Sequence, residues 1–149
     1  MIMADQDHDG SHIKGLIINF FHHFWPNLFR TRGFIREFVT PIIKATRKHR
    51  VETFFTIQDY HKWLAKVGPK IAKWKVKYYK GLGTSTNREA KQYFKNIRDH
   101  LIRFRYVDGK DDECIKLAFS KEYIKNRKEW LAGYDPEVSV DHNVKVLSY

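Results

Sequence analysis

The alternation of helix and strand signals along this chain predicts an α/β fold, with α+β as the other reading of the same alternation. Three observations carry the prediction. Apolar residues recur at intervals of three and four between Ser11 and Phe29. Runs rich in β-branched and aromatic residues recur at 33–47, 51–57, 74–79 and 102–106. Helix starting and stopping signals separate those runs.

Taken in order, the chain opens on Ile2-Met3-Ala4, which reads as the end of a buried strand, and an acidic loop, Asp5-Gln6-Asp7-His8-Asp9-Gly10, follows at once. Ile13, Leu16, Ile17, Phe20, Phe21, Phe24 and Leu28 then make a helical stripe. Ser11 is its predicted N-cap, and Pro26 should end or kink it near Trp25. Residues 33–47 read as extended, with Pro41 at an edge or bulge. The cluster Arg47-Lys48-His49-Arg50 suits a solvated hairpin turn into a second strand, Val51 to Ile57.

Gln58 to Val67 reads as a short helix stopped by Gly68-Pro69. In the third strand Trp74, Val76 and Tyr78 alternate with Lys75, Lys77 and Tyr79, and a Gly-rich turn, Lys80-Gly81-Leu82-Gly83, comes next. Thr86 and Glu89 have capping-box spacing and open a helix to about Arg98. A short strand, Ile102 to Tyr106, precedes helices from about Asp112 and from Ser120 to Leu131, and the chain closes on a tail containing Pro and Asp.

The 149 residues fit one domain, or one domain and a piece of the next, and 42% hydrophobic content is enough for a core. Lys and Arg number 28 against 17 Asp and Glu, a net charge of +11. Such a surplus attracts polyanions, nucleic acid first among them, although a domain can simply be basic. The single cysteine, Cys114, excludes an intrachain disulfide, fits a reducing compartment, and reads as packing rather than nucleophile. No signal peptide is predicted, and Lys14, Asn19, His22, His23 and Pro26 break the most apolar stretch, so the chain should be soluble and not membrane-bound.

The acidic loop sets Asp5, Asp7 and Asp9 at alternate positions after a strand. In extended chain alternate side chains share a face, so these carboxylates can converge, and a hard divalent cation relieves their repulsion. Mg²⁺ suits that chemistry. An EF-hand is excluded, because counting from Asp5 the twelfth loop position is Leu16 rather than a bidentate Glu. A bland acidic cap on the following helix stays as an alternative. His12 fits either a hydrogen bond within the loop or a structural place in the first helical turn, and Lys14 either a phosphate contact or solvated surface. His22 and His23 are adjacent and point apart on a helix, which argues against zinc.

The second informative run is Lys73-Trp74-Lys75-Val76-Lys77-Tyr78-Tyr79-Lys80-Gly81-Leu82-Gly83-Thr84-Ser85-Thr86. Its Gly81-x-Gly83 lacks the Lys-Ser/Thr ending of a P-loop, so no ATP site is predicted. It is a basic strand leading to a turn whose N–H groups and Lys80 could engage a phosphate, or else a basic face on an edge strand.

Together these runs carry a resemblance. Asp5-Gln6-Asp7-His8-Asp9-Gly10-Ser11-His12-Ile13 resembles the D-x-D-x-D-G-x-H-I signature in the toprim domain of type IIA DNA topoisomerases, and Tyr79-Lys80-Gly81-Leu82-Gly83-Thr84-Ser85-Thr86 resembles the Y-K-G-L-G-T-S-T run of the eukaryotic branch. Stretches at 25–28, 38–44, 117–121 and 126–131 resemble flanking family segments. The resemblance implies an incomplete Rossmann-like toprim domain with additional strands and C-terminal helices. It implies the C-terminal part of that domain with its insert at 1–132, and at 133–149 a linker toward a winged-helix domain. It implies Mg²⁺ on Asp5 and Asp7, with Asp9 in support, and DNA-backbone contacts from Lys80, then Lys77, Lys75 and Lys14. His12, Gly81 and Gly83 belong to the same motifs.

The family's upstream metal-binding glutamate, its catalytic tyrosine and its ATPase domain have no counterpart in these residues. Tyr149 lacks the arginine neighbour of the family's cleavage tyrosine, so no catalytic residue is assigned here. The implied parent is an ATP-dependent, nuclear, homodimeric enzyme acting on double-stranded DNA, and this stretch alone is expected to be inactive. A non-catalytic basic nucleic-acid-binding module, or another toprim phosphotransferase, is the alternative.

Overall fold

A computed structural model describes residues 1–135 and 144–149. The part of the tail at 136–143 lies outside the described residues. Helix and strand are mixed, and the chain divides into two compact units, one of Met1–Ile2, His12–Glu37 and Ile102–Tyr149, the other of Met3–Ser11 and Phe38–Leu101.

The long helix α1 runs His8–Phe24, starting four residues before the His12 start that an N-cap at Ser11 would give. Asp7, not Ser11, caps it: the Asp7 Oδ1 accepts the Gly10 N–H at 2.8 Å, and its carbonyl accepts the Ser11 N–H at 3.0 Å. The loop therefore enters the helix at once, and Asp9 sits in the first turn, where a negative charge favours the helix dipole. As predicted, Pro26 separates α1 from a single turn, α2 (Pro26–Phe29).

In the first unit β1 (Arg36–Phe38) and β6 (Val146–Ser148) flank β5 (Leu101–Arg105). The β6 strand, in what the sequence predicts to be tail, runs parallel to β5 with Phe104 opposite Leu147. Instead of a strand end at 2–4, Ile2 makes one parallel bridge to Glu37. Phe29, Ile35, Ile102, Phe104 and Ile115 are buried here. Helix α5 (Gly109–Phe119) starts in a capping box of Asp108 and Asp111. The Arg127 guanidinium, on α6 (Ile124–Ala132), donates to the carbonyls of Leu117, Ala118 and Ser120, satisfying the end of α5. Cys114 is exposed on α5, so it does not serve packing; Asp111 and Ile115 are the residues that helix buries.

In the second unit β2 (Ile43–Arg47) lies between β3 (Arg50–Phe54) and β4 (Lys75–Tyr78), antiparallel to both. The predicted hairpin is present: Arg47 pairs with Arg50, and Lys48 takes a φ of 52° at the turn. Residues 39–42 interrupt the extended run, with Pro41 buried between β1 and β2. Ile43, Ala45 and Phe54 pack against Tyr60 and Trp63 of α3 (Ile57–Val67) and against Trp74. The alternation in β4 does not set its burial: Tyr78 is exposed and Tyr79 buried, because Tyr79 lies just past the strand and turns its hydroxyl to Glu89. Helix α4 (Asn87–Lys95) begins in the predicted capping box of Thr86 and Glu89 and is shorter than expected, with a 3-10 turn at Ile97–His100 after it. Among the described residues no helix is long and apolar enough to cross a membrane.

Candidate nucleic-acid and metal site

The acidic loop and the Gly-rich turn, separated by more than seventy residues in sequence, meet at Asp5. Its Oδ1 accepts the main-chain N–H of Leu82 at 2.8 Å. A Cβ on Gly81 would lie 2.6 Å from Asp5 Oδ2, so glycine is what lets the carboxylate reach the turn. Gly81 has extended backbone, so space rather than φ demands glycine there. Gly10 answers to the same loop from the other side, because a Cβ there would fall 1.9 Å from the Asp5 carbonyl oxygen. Among the described residues nothing lies within 4 Å of the corresponding position at Gly83, in the 3-10 turn Leu82–Thr84.

This arrangement corrects two expectations. The Leu82 N–H, which the sequence reading offered to a phosphate, is taken by Asp5. The three loop carboxylates do not share one face of an extended strand, because Asp7 is a helix cap and Asp9 is helical. Among the described residues no three His, Cys, Asp or Glu side chains gather as a metal-binding set. What remains is a pair of exposed carboxylates, Asp5 and Asp7, each with Oδ1 on a main-chain N–H and Oδ2 without a hydrogen bond among the described residues. Hard anionic oxygens of that number fit Mg²⁺, which takes one or two protein carboxylates and keeps several waters.

The lysines divide into committed and uncommitted. Lys80 is exposed and precedes Gly81, so its main chain adjoins the Asp5 carboxylate. Lys75 is exposed at the start of β4. Lys77 donates to Glu89 at 3.1 Å and lies 4.3 Å over the Tyr79 ring. Lys14, for which the sequence reading allowed phosphate or solvent, instead pairs with the buried Glu37. A buried carboxylate without that partner would be costly, so the Lys14 charge is used within the fold. His12 is exposed in the first turns of α1.

Glu89 does more than its capping box announces. Lys44 and Lys77 face each other across β2 and β4, and the Glu89 carboxylate stands 3.5 Å and 3.1 Å from their ammonium groups. It also takes the Tyr79 hydroxyl and the Thr86 N–H. Partial burial pushes its carboxyl up, but the bonds from Tyr79, Thr86 and Lys77 outweigh that and hold it below the usual carboxylate range. Burial, then the bond to and charge of Glu89, raise the Tyr79 hydroxyl above its ordinary value.

A second hub, in the first unit, is Asp112, which meets His22 Nε2 at 2.8 Å, the Tyr106 hydroxyl at 2.7 Å and Arg30 at 3.3 Å. That pairing gives His22 a structural partner no local spacing could reveal. Tyr149 is packed, its ring 4.0 Å from that of Phe29 and its hydroxyl donating to the Phe29 carbonyl. Burial, then the charge of Asp111, push that hydroxyl up to about 12, which keeps it a neutral phenol.

Comparison with known proteins agrees with the family resemblance. The family model described as the C-terminal associated domain of TOPRIM matches residues 38–149. A mitochondrial DNA topoisomerase 2 of Dictyostelium discoideum is 52% identical over the whole chain, and human DNA topoisomerase 2-alpha is 53% identical over 90% of it. The chain spans 12% and 9% of those two proteins. The crystal structure of the Plasmodium falciparum topoisomerase II DNA-binding, cleavage and re-ligation domain superposes with a TM-score of 0.91 at 50% identity, over 98% of this chain and 20% of that one.

Proposed function

Because the chain belongs to the family of C-terminal associated domains of TOPRIM, we propose that it is part of the DNA-binding and cleaving region of a eukaryotic-type, type IIA DNA topoisomerase. The observation that carries this reading is the bond from Leu82 to Asp5, which joins the acidic loop to the basic turn. Residues 1–132 are assigned to the C-terminal part of a Rossmann-like toprim domain with its insert, and 133–149 to the start of a linker whose β6 segment pairs with β5.

In this reading Asp5 and Asp7 hold Mg²⁺, with Asp9 adding negative charge nearby. When bound, the ion neutralises charge developing on the oxygens of a phosphate in transfer. The chain's own part is positioning. The Leu82 N–H and the bare Gly81 fix the Asp5 carboxylate, and the Asp7 cap ties the loop to α1. Lys80 meets the DNA backbone, with Lys75, exposed at the start of β4, as a second contact; Lys77 and Lys14 contribute less, because their charges are paired internally. Such contacts set affinity and register without reading sequence. The parent is proposed to act on double-stranded DNA as an ATP-dependent homodimer in the nucleus. These 149 residues alone are assigned neither strand cleavage nor ATP hydrolysis.

A rival reading, a basic module that binds nucleic acid by charge alone, draws on the absence of a three-ligand set among the described residues. The test is duplex binding by the chain, followed by fluorescence anisotropy with and without Mg²⁺. The topoisomerase reading expects a Mg²⁺-dependent component that Asp5→Asn and Asp7→Asn abolish. If Mg²⁺ changes nothing and the variants bind as well or tighter, the module reading replaces it.

A further inference from the structure

A recess of about 260 Å³ in the first unit is walled by four arginines, Arg32, Arg36, Arg103 and Arg105, with Phe104 and Val146. Nothing in the two signature motifs points to it. Arg103 and Arg105 stand two apart on β5 and so share a face, both exposed, while Ile102 and Phe104 are buried. Arg36 opens β1, the strand beside β5, and its Nε–H donates to the Gly33 carbonyl at 3.0 Å. Gly33 has a φ of 70°, the left-handed turn that brings Arg32 to the same recess. Among the described residues no carboxylate lines it, and Arg32, Arg103 and Arg105 make no ion pair.

Four like charges brought to one concavity repel, and a bound anion is the direct way to offset that. Guanidinium groups present planar forks that match phosphate oxygens in pairs, which an ammonium cannot do. A recess of that size has room for a phosphodiester and its sugar. We propose that this recess binds phosphates of a nucleic-acid backbone, as a site additional to the Lys80 turn. The identity of the polyanion rests on the DNA reading above; the recess and its charge do not. Contact is with backbone only, so no base preference is expected from it.

The experiment is a salt series of duplex binding by the 149-residue chain, read by fluorescence anisotropy. Each phosphate contact contributes roughly 0.9 to the slope of log affinity against log salt, so replacing both Arg103 and Arg105 with Gln should flatten the slope by about 2 and weaken binding about tenfold or more near 0.1 M salt. Arg32→Gln alone should flatten it by about 1, an independent check should the double variant fold poorly by circular dichroism. Lys125→Gln with Lys128→Gln, the same charge change on exposed positions of α6, should leave the slope near wild type.

An unchanged slope in the arginine variants overturns the inference and leaves the DNA reading standing. Equal losses in the arginine and lysine variants also overturn it, since net charge alone would then explain binding. A wild-type chain that does not bind duplex removes both readings. Displacement of the duplex by polyglutamate as effectively as by unlabelled duplex, at equal charge, overturns the phosphate assignment in favour of an acidic peptide.

Discussion

Asp5 and Glu89 both accept hydrogen bonds from residues 77–82, and they do opposite things with them. Glu89 is half-buried and collects the Tyr79 hydroxyl, the Lys77 ammonium and the Thr86 N–H, with Lys44 close by. Asp5 is exposed and takes one N–H, that of Leu82. A carboxylate surrounded by donors from two strands and a helix start has no capacity left and works as a fastener. A carboxylate anchored by one oxygen, with the other open, is placed for something outside the protein. Residue type alone does not separate the two roles; the number and origin of the donors does.

The largest expected effect breaks the Asp5 side at its foundation. Gly10→Ala puts a Cβ 1.9 Å from the Asp5 carbonyl oxygen, a clash of main chain with side chain that no rotamer relieves. Overpacking of this kind costs on the order of 3 kcal/mol. Urea unfolding should show the loss, and a change under about 0.5 kcal/mol, the range of ordinary surface substitutions, would mean the loop does not pack as described.

Next comes Glu89→Ala, which strips a capping box, leaves the Tyr79 hydroxyl and Lys77 without their acceptor, and takes the counter-charge from Lys44. Lost caps and unpaired donors each cost about 1 kcal/mol or more, so roughly 2 kcal/mol is expected at neutral pH. The effect should depend on pH in one direction. The folded carboxyl lies below its ordinary value of 4.5, so its stabilisation is complete above that value and fades as pH falls below it. The wild-type advantage over Glu89→Ala should therefore shrink in acid. An advantage that stays constant between pH 7 and strong acid would show that the hydrogen-bonded carboxylate is not its source.

Much of this comparison was legible in the chain, but unevenly. The Thr86–Glu89 box, the stop at Gly68-Pro69 and the hairpin at 47–50 are local, set by residues within one turn of each other, and each is present. Ser11 was misread as a cap because the helix pattern starts at Ile13, while the start is fixed by Asp7, whose short side chain reaches Gly10. The β6 strand is only three residues long, too short a run to stand out of the tail, and it forms by pairing with β5. Partners distant in sequence, such as Lys14 with Glu37, His22 with Asp112 and Asp5 with Leu82, follow from tertiary geometry that no spacing rule encodes. The four-arginine recess was hidden for the same reason, although the Arg103 and Arg105 alternation was visible.

The smallest effect on stability is the sharpest on function. Gly81→Ala would set a Cβ 2.6 Å from Asp5 Oδ2, and here the obstructing atom is the free end of a side chain, which can rotate away. The fold should lose less than about 1 kcal/mol, the worth of the single hydrogen bond to Leu82. The cost should fall on the orientation of Asp5 instead. Removing a group that orients a metal ligand typically lowers metal affinity by about 10- to 100-fold, so Mn²⁺ binding followed by electron paramagnetic resonance should weaken by at least about tenfold. If Mn²⁺ affinity holds while Asp5→Asn lowers it, Asp5 binds the ion without help from the turn. If neither substitution changes it, the open oxygen of Asp5 is not a metal ligand, and its contrast with Glu89 reduces to a difference in burial.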